Sequence, residues 1–161
     1  MKKILITGGC GFIGSHLTEY LFNKYKKAEI IVYDKITYAA HIDNIKEIRG
    51  SKRLKVIKKD ILDFSSLNKA TKGVDLFVHA AAESHVDNSF ELNNKFVLTN
   101  VLGTKNVMQS CKVNKVKKII HISTDEVYGE IFKGSFFENS KFNPSNPYSS
   151  SKAAAEMIVN G

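Results

Sequence analysis

At 161 residues, with 43% hydrophobic and 25% charged residues, the chain has the length and composition of a globular domain with a sizeable core, which argues against disorder. No apolar run approaches the roughly 18 residues of a membrane span, and the opening Met1-Lys2-Lys3-Ile4-Leu5-Ile6 meets glycine too soon for a signal peptide, so a cytoplasmic protein is the expectation. The formal net charge of +8 comes from scattered lysines, with Arg49 and Arg53 the only arginines, which favours a solvated basic surface over a nucleic-acid footprint.

Short β-branched runs alternate with longer amphipathic ones, the pattern of repeated βαβ units and a doubly wound parallel sheet. Strands are expected near Lys3–Thr7, Ile30–Tyr33, Lys55–Lys58, Leu76–His79 and Lys118–Ile122, the last read as buried. Helices are expected near Phe12–Lys24, Asp43–Arg49, Ser65–Thr71 and Asn93–Asn114, with a final one opening near Tyr148. Pro144 and Pro147 fall in a polar loop that leads into this last helix, where the fixed φ of proline suits a helix start. Cys10 and Cys111 lack C-x-x-C spacing and read as reduced thiols, and the histidines show no paired metal-ligand spacing, so no metal is expected.

Gly8, Gly11 and Gly14 stand between the first strand and the first helix, where glycines serve a tight turn, close backbone approach to a pyrophosphate, and helix-on-strand packing. The helix N-terminus adds free N–H groups and partial positive charge. The second strand ends in Asp34, twenty residues after Gly14, where a carboxylate accepts both adenosine ribose hydroxyls and repels a 2′-phosphate. The expected cofactor is therefore NAD rather than NADP, although the neighbouring Lys35 is a cation that could tolerate a 2′-phosphate. Asp60 and Ile61, after the third strand, could serve the adenine amino group and ring.

Tyr148 and Lys152 lie four residues apart, so on a helix they share one face. A lysine ammonium beside a tyrosine and the positive nicotinamide ring above it both favour the phenolate, and together make it a usable base near neutral pH. Upstream, Ser123-Thr124-Asp125-Glu126-Val127-Tyr128-Gly129 sets out a hydroxyl and two adjacent carboxylates directly after a strand. Consecutive strand residues point to opposite faces, so both acids can serve one substrate only if the strand has already ended, and irregular backbone is expected from Thr124 onward.

The two motifs together resemble the short-chain dehydrogenase/reductase family, and the G-x-x-G-x-x-G spacing is that of its extended branch, which acts on nucleotide sugars. Within that branch the stretch 123–129 is similar to the signature of the dTDP-glucose 4,6-dehydratases, and the likeness continues through 34–45, 79–89, 99–104 and 146–156. Ala40 and His41 replace an expected Gly-Asn, and Ala80 replaces a larger aliphatic.

The resemblance implies an NAD-binding Rossmann fold. It adds Phe12, Ile13, Lys35, Thr37, Ala80, Ala81, Ala82, Ser84, Asn100, Ser123, Tyr148 and Lys152 to the cofactor contacts already named, with Glu83 lining the same cleft. Ser84, His85, Thr124, Asp125 and Glu126 are placed at the sugar. In the reaction implied, Tyr148 takes the C4 hydroxyl proton with Thr124 and Lys152 assisting, Glu126 is the base at C5, and Asp125 is the acid for the departing C6 oxygen.

The last helix has no strand after it, so residues 1–161 are expected to be a Rossmann domain truncated before a C-terminal substrate-binding region. Two other readings stand beside the dehydratase: an NAD-binding fragment without turnover, and a UDP-sugar epimerase or decarboxylase of the same family. The resemblance further implies a nucleotide-sugar substrate and a homodimer built on helix 93–114 and the terminal helix, with neither nucleic acid nor membrane as a partner.

Overall fold

In the computed structural model, which describes residues 1–161, the chain divides into two compact units. The first comprises Met1–Ala81 and Asn106–Ile122; the second comprises Ala82–Lys105 and Ser123–Gly161.

The first unit is built on five parallel strands: β1 (Lys3–Thr7), β2 (Glu29–Asp34), β3 (Leu54–Lys58), β4 (Leu76–His79) and β5 (Lys118–His121). Their order is β3-β2-β1-β4-β5. This is the doubly wound arrangement in which the chain starts at the centre, winds one way, and returns to wind the other.

Alternation along the strands sends side chains to two cores. Leu5, Ile31, Tyr33 and Phe77 pack on one face with Leu67 of α2 (Phe64–Ala70) and with Val107 and Cys111. Ile4, Ile6, Ile30, Leu76 and Val78 pack on the other with Leu17 and Leu21 of α1 (Phe12–Lys24). Burying each such aliphatic side chain stabilises the fold by about 1.5–3 kcal/mol before chain entropy is subtracted.

Polar groups are handled locally. Arg53 donates to the carbonyls of Phe22, Tyr25 and Ala28 at 3.1–3.2 Å and stacks on the Phe22 ring at 3.8 Å, closing the C-terminal end of α1.

Two expectations for this unit fail. No α-helix spans Asp43–Arg49; a single 3₁₀ turn, Ile42–Ile45, is followed by turns, and it is led by His41, whose Nδ1 accepts from the Asp43 N–H. With only Ile45 and Ile48 to bury, the segment has too narrow an apolar face to sustain a helix. β5 is not buried either: it pairs with β4 alone, and Ile119 and Ile120 are 39% and 48% exposed.

The second unit carries α3 (Val86–Glu91), α4 (Asn93–Phe96) and α6 (Pro147–Asn160). The expected unbroken helix 93–114 is interrupted: α4 runs into a π-helical turn, Val97–Gly103, before α5 (Thr104–Val113) resumes. Such turns recur at functional sites. α6 opens as its loop prolines suggest, with Pro147 in its first turn and Asn146 and Ser149 forming a capping box.

Candidate active site

In the first unit the glycine loop is shaped by close backbone contacts at two of its three glycines. Gly8 has φ +70°, and a Cβ there would lie 2.7 Å from the Ala81 backbone; a Cβ on Gly14 would strike the Gly8 carbonyl at 1.9 Å. Both glycines are therefore required by the fold. Gly11 differs: its φ is −74°, and a Cβ there would meet nothing closer than 3.4 Å. Neither conformation nor packing demands glycine at this position, which fits a backbone that must lie open to something outside the chain, such as a pyrophosphate. No side chain caps α1, whereas Asp63 caps α2 and Asn146 caps α6. Phe12 and Ile13, at the helix start, are 79% and 56% exposed.

Asp34 ends β2 nearly buried, with one carboxylate oxygen accepting the Cys10 N–H at 2.8 Å and the other the Ile36 N–H at 2.7 Å. Ile36 gives that N–H from φ +56°, a left-handed conformation costly for a β-branched residue. The Lys35 ammonium lies 2.8 Å from the Asp60 carboxylate. Ile61 is a core residue at 4% exposure, so its side chain offers no open surface for a ring to pack on. Thr37 is half-buried, its carbonyl accepting from the Ala40 N–H. Ala80 and Ala81 are held beside Gly8 through Thr7, whose carbonyl accepts the Ala80 N–H and whose hydroxyl accepts the Ala81 N–H and bonds His79.

In the second unit Thr124 caps a 3₁₀ turn, Asp125–Tyr128, its hydroxyl accepting the Glu126 N–H at 3.3 Å. The strand has ended by this point, as the paired acids require, but the backbone is an ordered turn rather than irregular coil. Gly129 closes it at φ +90°, and the Asn143 N–H donates back to the Val127 carbonyl at 3.0 Å. Glu126 is half-buried and accepts from the Asn146 amide at 3.0 Å; Asp125 is exposed. The two acids thus have different surroundings.

Tyr148 stands on the first turn of α6, 9% exposed. Burial raises its phenol above the ordinary range, a hydrogen bond with Thr124 opposes this, and the charges of Glu126 and Asp125 raise it further. The phenol, the hydroxyl and both carboxylates therefore act on one another. Within the chain itself, burial and the two acids together outweigh that hydrogen bond. Lys152 is 4% exposed, and burial pushes its ammonium down to about 8, against the pull of Glu156.

Asn100, in the π-helical turn, is 1% exposed and clamps Glu83, accepting its N–H at 2.8 Å and donating to its carbonyl at 2.9 Å. The same amide donates to Ser151 of α6 at 2.9 Å. Ala82 is half-buried next to this clamp, while Ser84 and His85 are exposed, and the His85 side chain does not cap the helix it precedes.

A family model described as GDP-mannose 4,6 dehydratase matches residues 5–161. The chain belongs to this family. Among relatives of this family member, a dTDP-D-glucose 4,6-dehydratase of Dictyostelium discoideum is 44% identical over 172 aligned residues, covering 99% of this chain and 40% of that protein. A dTDP-D-glucose 4,6-dehydratase of Homo sapiens is 42% identical over 160 residues, covering 98% of this chain and 46% of that protein. A solved dTDP-glucose 4,6-dehydratase of Streptomyces venezuelae, with NAD and TYD bound, superposes with a TM-score of 0.92 at 41% identity, covering 97% of this chain and 50% of that one. The chain thus spans at most about half the length of these proteins.

Three residues of this family member escape a reading of its motifs. Asn146 both caps α6 and holds Glu126; the Asn-Pro pair ahead of Tyr148 signals the cap but not the second bond. Glu156, one turn beyond Lys152, accepts a short hydrogen bond from Ser123, and only its i+4 spacing hints at this. Cys10 orients Asp34 through its backbone N–H, so no side-chain pattern could announce it.

Proposed function

We propose that this chain forms the NAD-binding and acid–base portion of a dTDP-glucose 4,6-dehydratase, converting dTDP-glucose to dTDP-4-keto-6-deoxyglucose when the substrate region that its longer relatives possess is also present. The observation that carries this reading is the mutual action of Tyr148, Thr124, Asp125 and Glu126 within one unit.

The loop Gly8–Gly14 would hold the pyrophosphate and Asp34 the adenosine ribose. Bound there, NAD would supply the hydride acceptor at C4 and return the same hydride to C6. Tyr148, with its hydroxyl oxygen hydrogen-bonded to Thr124, takes the C4 hydroxyl proton, and the resulting ketone acidifies C5–H. Glu126, oriented by Asn146, removes the C5 proton and gives a proton back to C5 once C6 has received the hydride. Asp125, exposed beside it, gives a proton to the C6 oxygen, which leaves as water. Lys152 keeps a buried positive charge on the helix face that carries Tyr148. The division of roles between the two carboxylates is the one that the family resemblance implies.

The same reading includes a homodimer, supported by the exposed Val97, Leu98, Leu102 and Met157 on the π-turn and α6. It also includes a cytoplasmic location, where thiols such as the free, buried Cys10 and Cys111 stay reduced, and a place in deoxyhexose formation such as that of dTDP-rhamnose.

Titration calorimetry with NAD tests the first half of the proposal: the chain binds it, and Gly11→Ala folds normally but loses the affinity. A Gly11→Ala variant that binds as before removes the pyrophosphate assignment. The second half is tested by incubation with dTDP-glucose. The chain alone gives little turnover, because remote substrate contacts position the reacting carbon, while a chain extended to the length of its relatives releases water. Retention of the C6 oxygen, with inversion at C4, would favour an epimerase instead.

A further inference from the structure

A lysine directly after the ribose-binding acid ordinarily signals tolerance of a 2′-phosphate, since a cation near that position accommodates it. The structure disposes of this lysine in a specific way. Lys35 Nζ lies 2.8 Å from Asp60 Oδ2, across the ends of the paired strands β2 and β3. Asp60 is not a loose surface acid: its Oδ1 accepts the Leu62 N–H at 2.9 Å, and its carbonyl accepts the Tyr33 hydroxyl at 3.1 Å. Its side chain is 27% exposed, against 62% for Lys35, so the carboxylate is the fixed partner and the ammonium the one that is drawn to it. Of the other cations nearby, Lys59 pairs with Asp63 at 3.3 Å, while Lys58 stands opposite Asp34 in the strand register and is exposed.

We propose that Asp60 is a specificity-determining residue for the dinucleotide: by binding Lys35 it withholds the cation that follows Asp34 in the chain from a 2′-phosphate, and so favours NAD over NADP. This rests on the reading of the glycine loop and Asp34 as a dinucleotide site. A 2′-phosphate brought to Asp34 meets two carboxylates and an ammonium already neutralised by one of them, whereas a free 2′-hydroxyl is insensitive to where Lys35 lies. The carboxylate of Asp60 thereby acts on a group it does not itself touch. Removing its charge while keeping its Oδ1 acceptor leaves the Leu62 turn intact and changes only the partner available to Lys35.

The experiment is a calorimetric measurement of NAD and NADP dissociation constants for the chain, Asp60→Asn, Lys35→Gln and the double variant, at low and high salt, with thermal melts to verify folding. Asp60→Asn is expected to improve NADP relative to NAD by about fivefold, an effect of the size of one exposed ion pair, and to lose most of that gain at high salt. In the Lys35→Gln background the same substitution leaves the ratio nearly unchanged. Equal weakening of both dinucleotides by Asp60→Asn, or a gain that persists without Lys35, overturns the proposal, the first by assigning Asp60 to the adenine and the second by reducing its effect to bare charge. Failure of the unaltered chain to bind NAD at all overturns the dinucleotide reading together with it, whereas normal NAD binding with an unmoved ratio overturns this inference alone.

Discussion

The Asn146 side chain serves two elements at once: its amide nitrogen donates to Glu126 at 3.0 Å, and its oxygen accepts the Ser149 N–H at 2.8 Å to cap α6. The orientation of the proposed base is thus tied to the start of the helix that carries Tyr148. Asn146→Ala should lower stability by about 1–2 kcal/mol, from the lost cap and the lost bond to Glu126. Asn146→Ser keeps a capping oxygen but loses the amide that donates to Glu126, and should recover most of that loss. Denaturant unfolding of the two variants checks this; equal destabilisation would show that the cap is not what the helix gains from Asn146.

Lys152 should cost the fold stability near neutral pH. The unfolded chain holds this proton up to about 10.5 and the folded chain only up to about 8. Between those values the unfolded state binds more protons, so this group makes stability rise with pH through that window. Lys152→Met should abolish that part of the slope and stabilise the chain at pH 7 by up to about 3 kcal/mol, at ~1.4 kcal/mol per unit. Urea melts at pH 7 and pH 10 on both proteins give the comparison, and a less stable Lys152→Met at pH 7 would contradict it.

Gly129 leaves no room for a side chain. At φ +90° and ψ −158° it occupies a region open essentially to glycine alone, and a Cβ would stand 2.3 Å from the Asn143 carbonyl. Gly129→Ala should destabilise by more than about 2 kcal/mol and disturb the turn that carries Asp125 and Glu126. A melting temperature within a degree or so of the parent would mean that the turn can be rebuilt without this contact.

The opposite case is Lys115, which ends α5 at φ +54° and is exposed. Its N–H bonds the Lys112 carbonyl at 3.2 Å while the Val116 N–H bonds Cys111 at 3.0 Å, the paired bonds of a Schellman ending that glycine fills more easily. Lys115→Gly should stabilise by roughly 0.5–1 kcal/mol, the left-handed strain relieved less the added freedom of the unfolded chain. Loss of stability in thermal melts would assign the Lys115 side chain a role that its exposure does not suggest.

Where local chemistry and tertiary packing agree, the sequence is enough to foresee the outcome: β1, β4 and α1 appear with the expected bounds because alternation, periodicity and glycine placement coincide there. The doubly wound order follows from the same βαβ rhythm. The break at Val97–Gly103 was not legible, because it serves the contacts of Asn100 with Glu83 and Ser151, distant in the chain. In the site, residue types in Thr124–Glu126 and Tyr148–Lys152 were readable from spacing. The direction of the Tyr148 shift was not, since it depends on how deeply the phenol is enclosed and which charges face it.

Thr124, Asp125, Glu126, Tyr148 and Lys152 all fall within one uninterrupted stretch, folded back on itself through the Val127–Asn143 backbone bond and the Glu126–Asn146 contact. A fluctuation that opens those two links scatters the proposed acid–base groups together, while the glycine loop and Asp34, stabilised by separate contacts, keep their shape. On the proposed function, retention of a dinucleotide and competence for chemistry are therefore separable free energies, and a variant that loses the second need not lose the first.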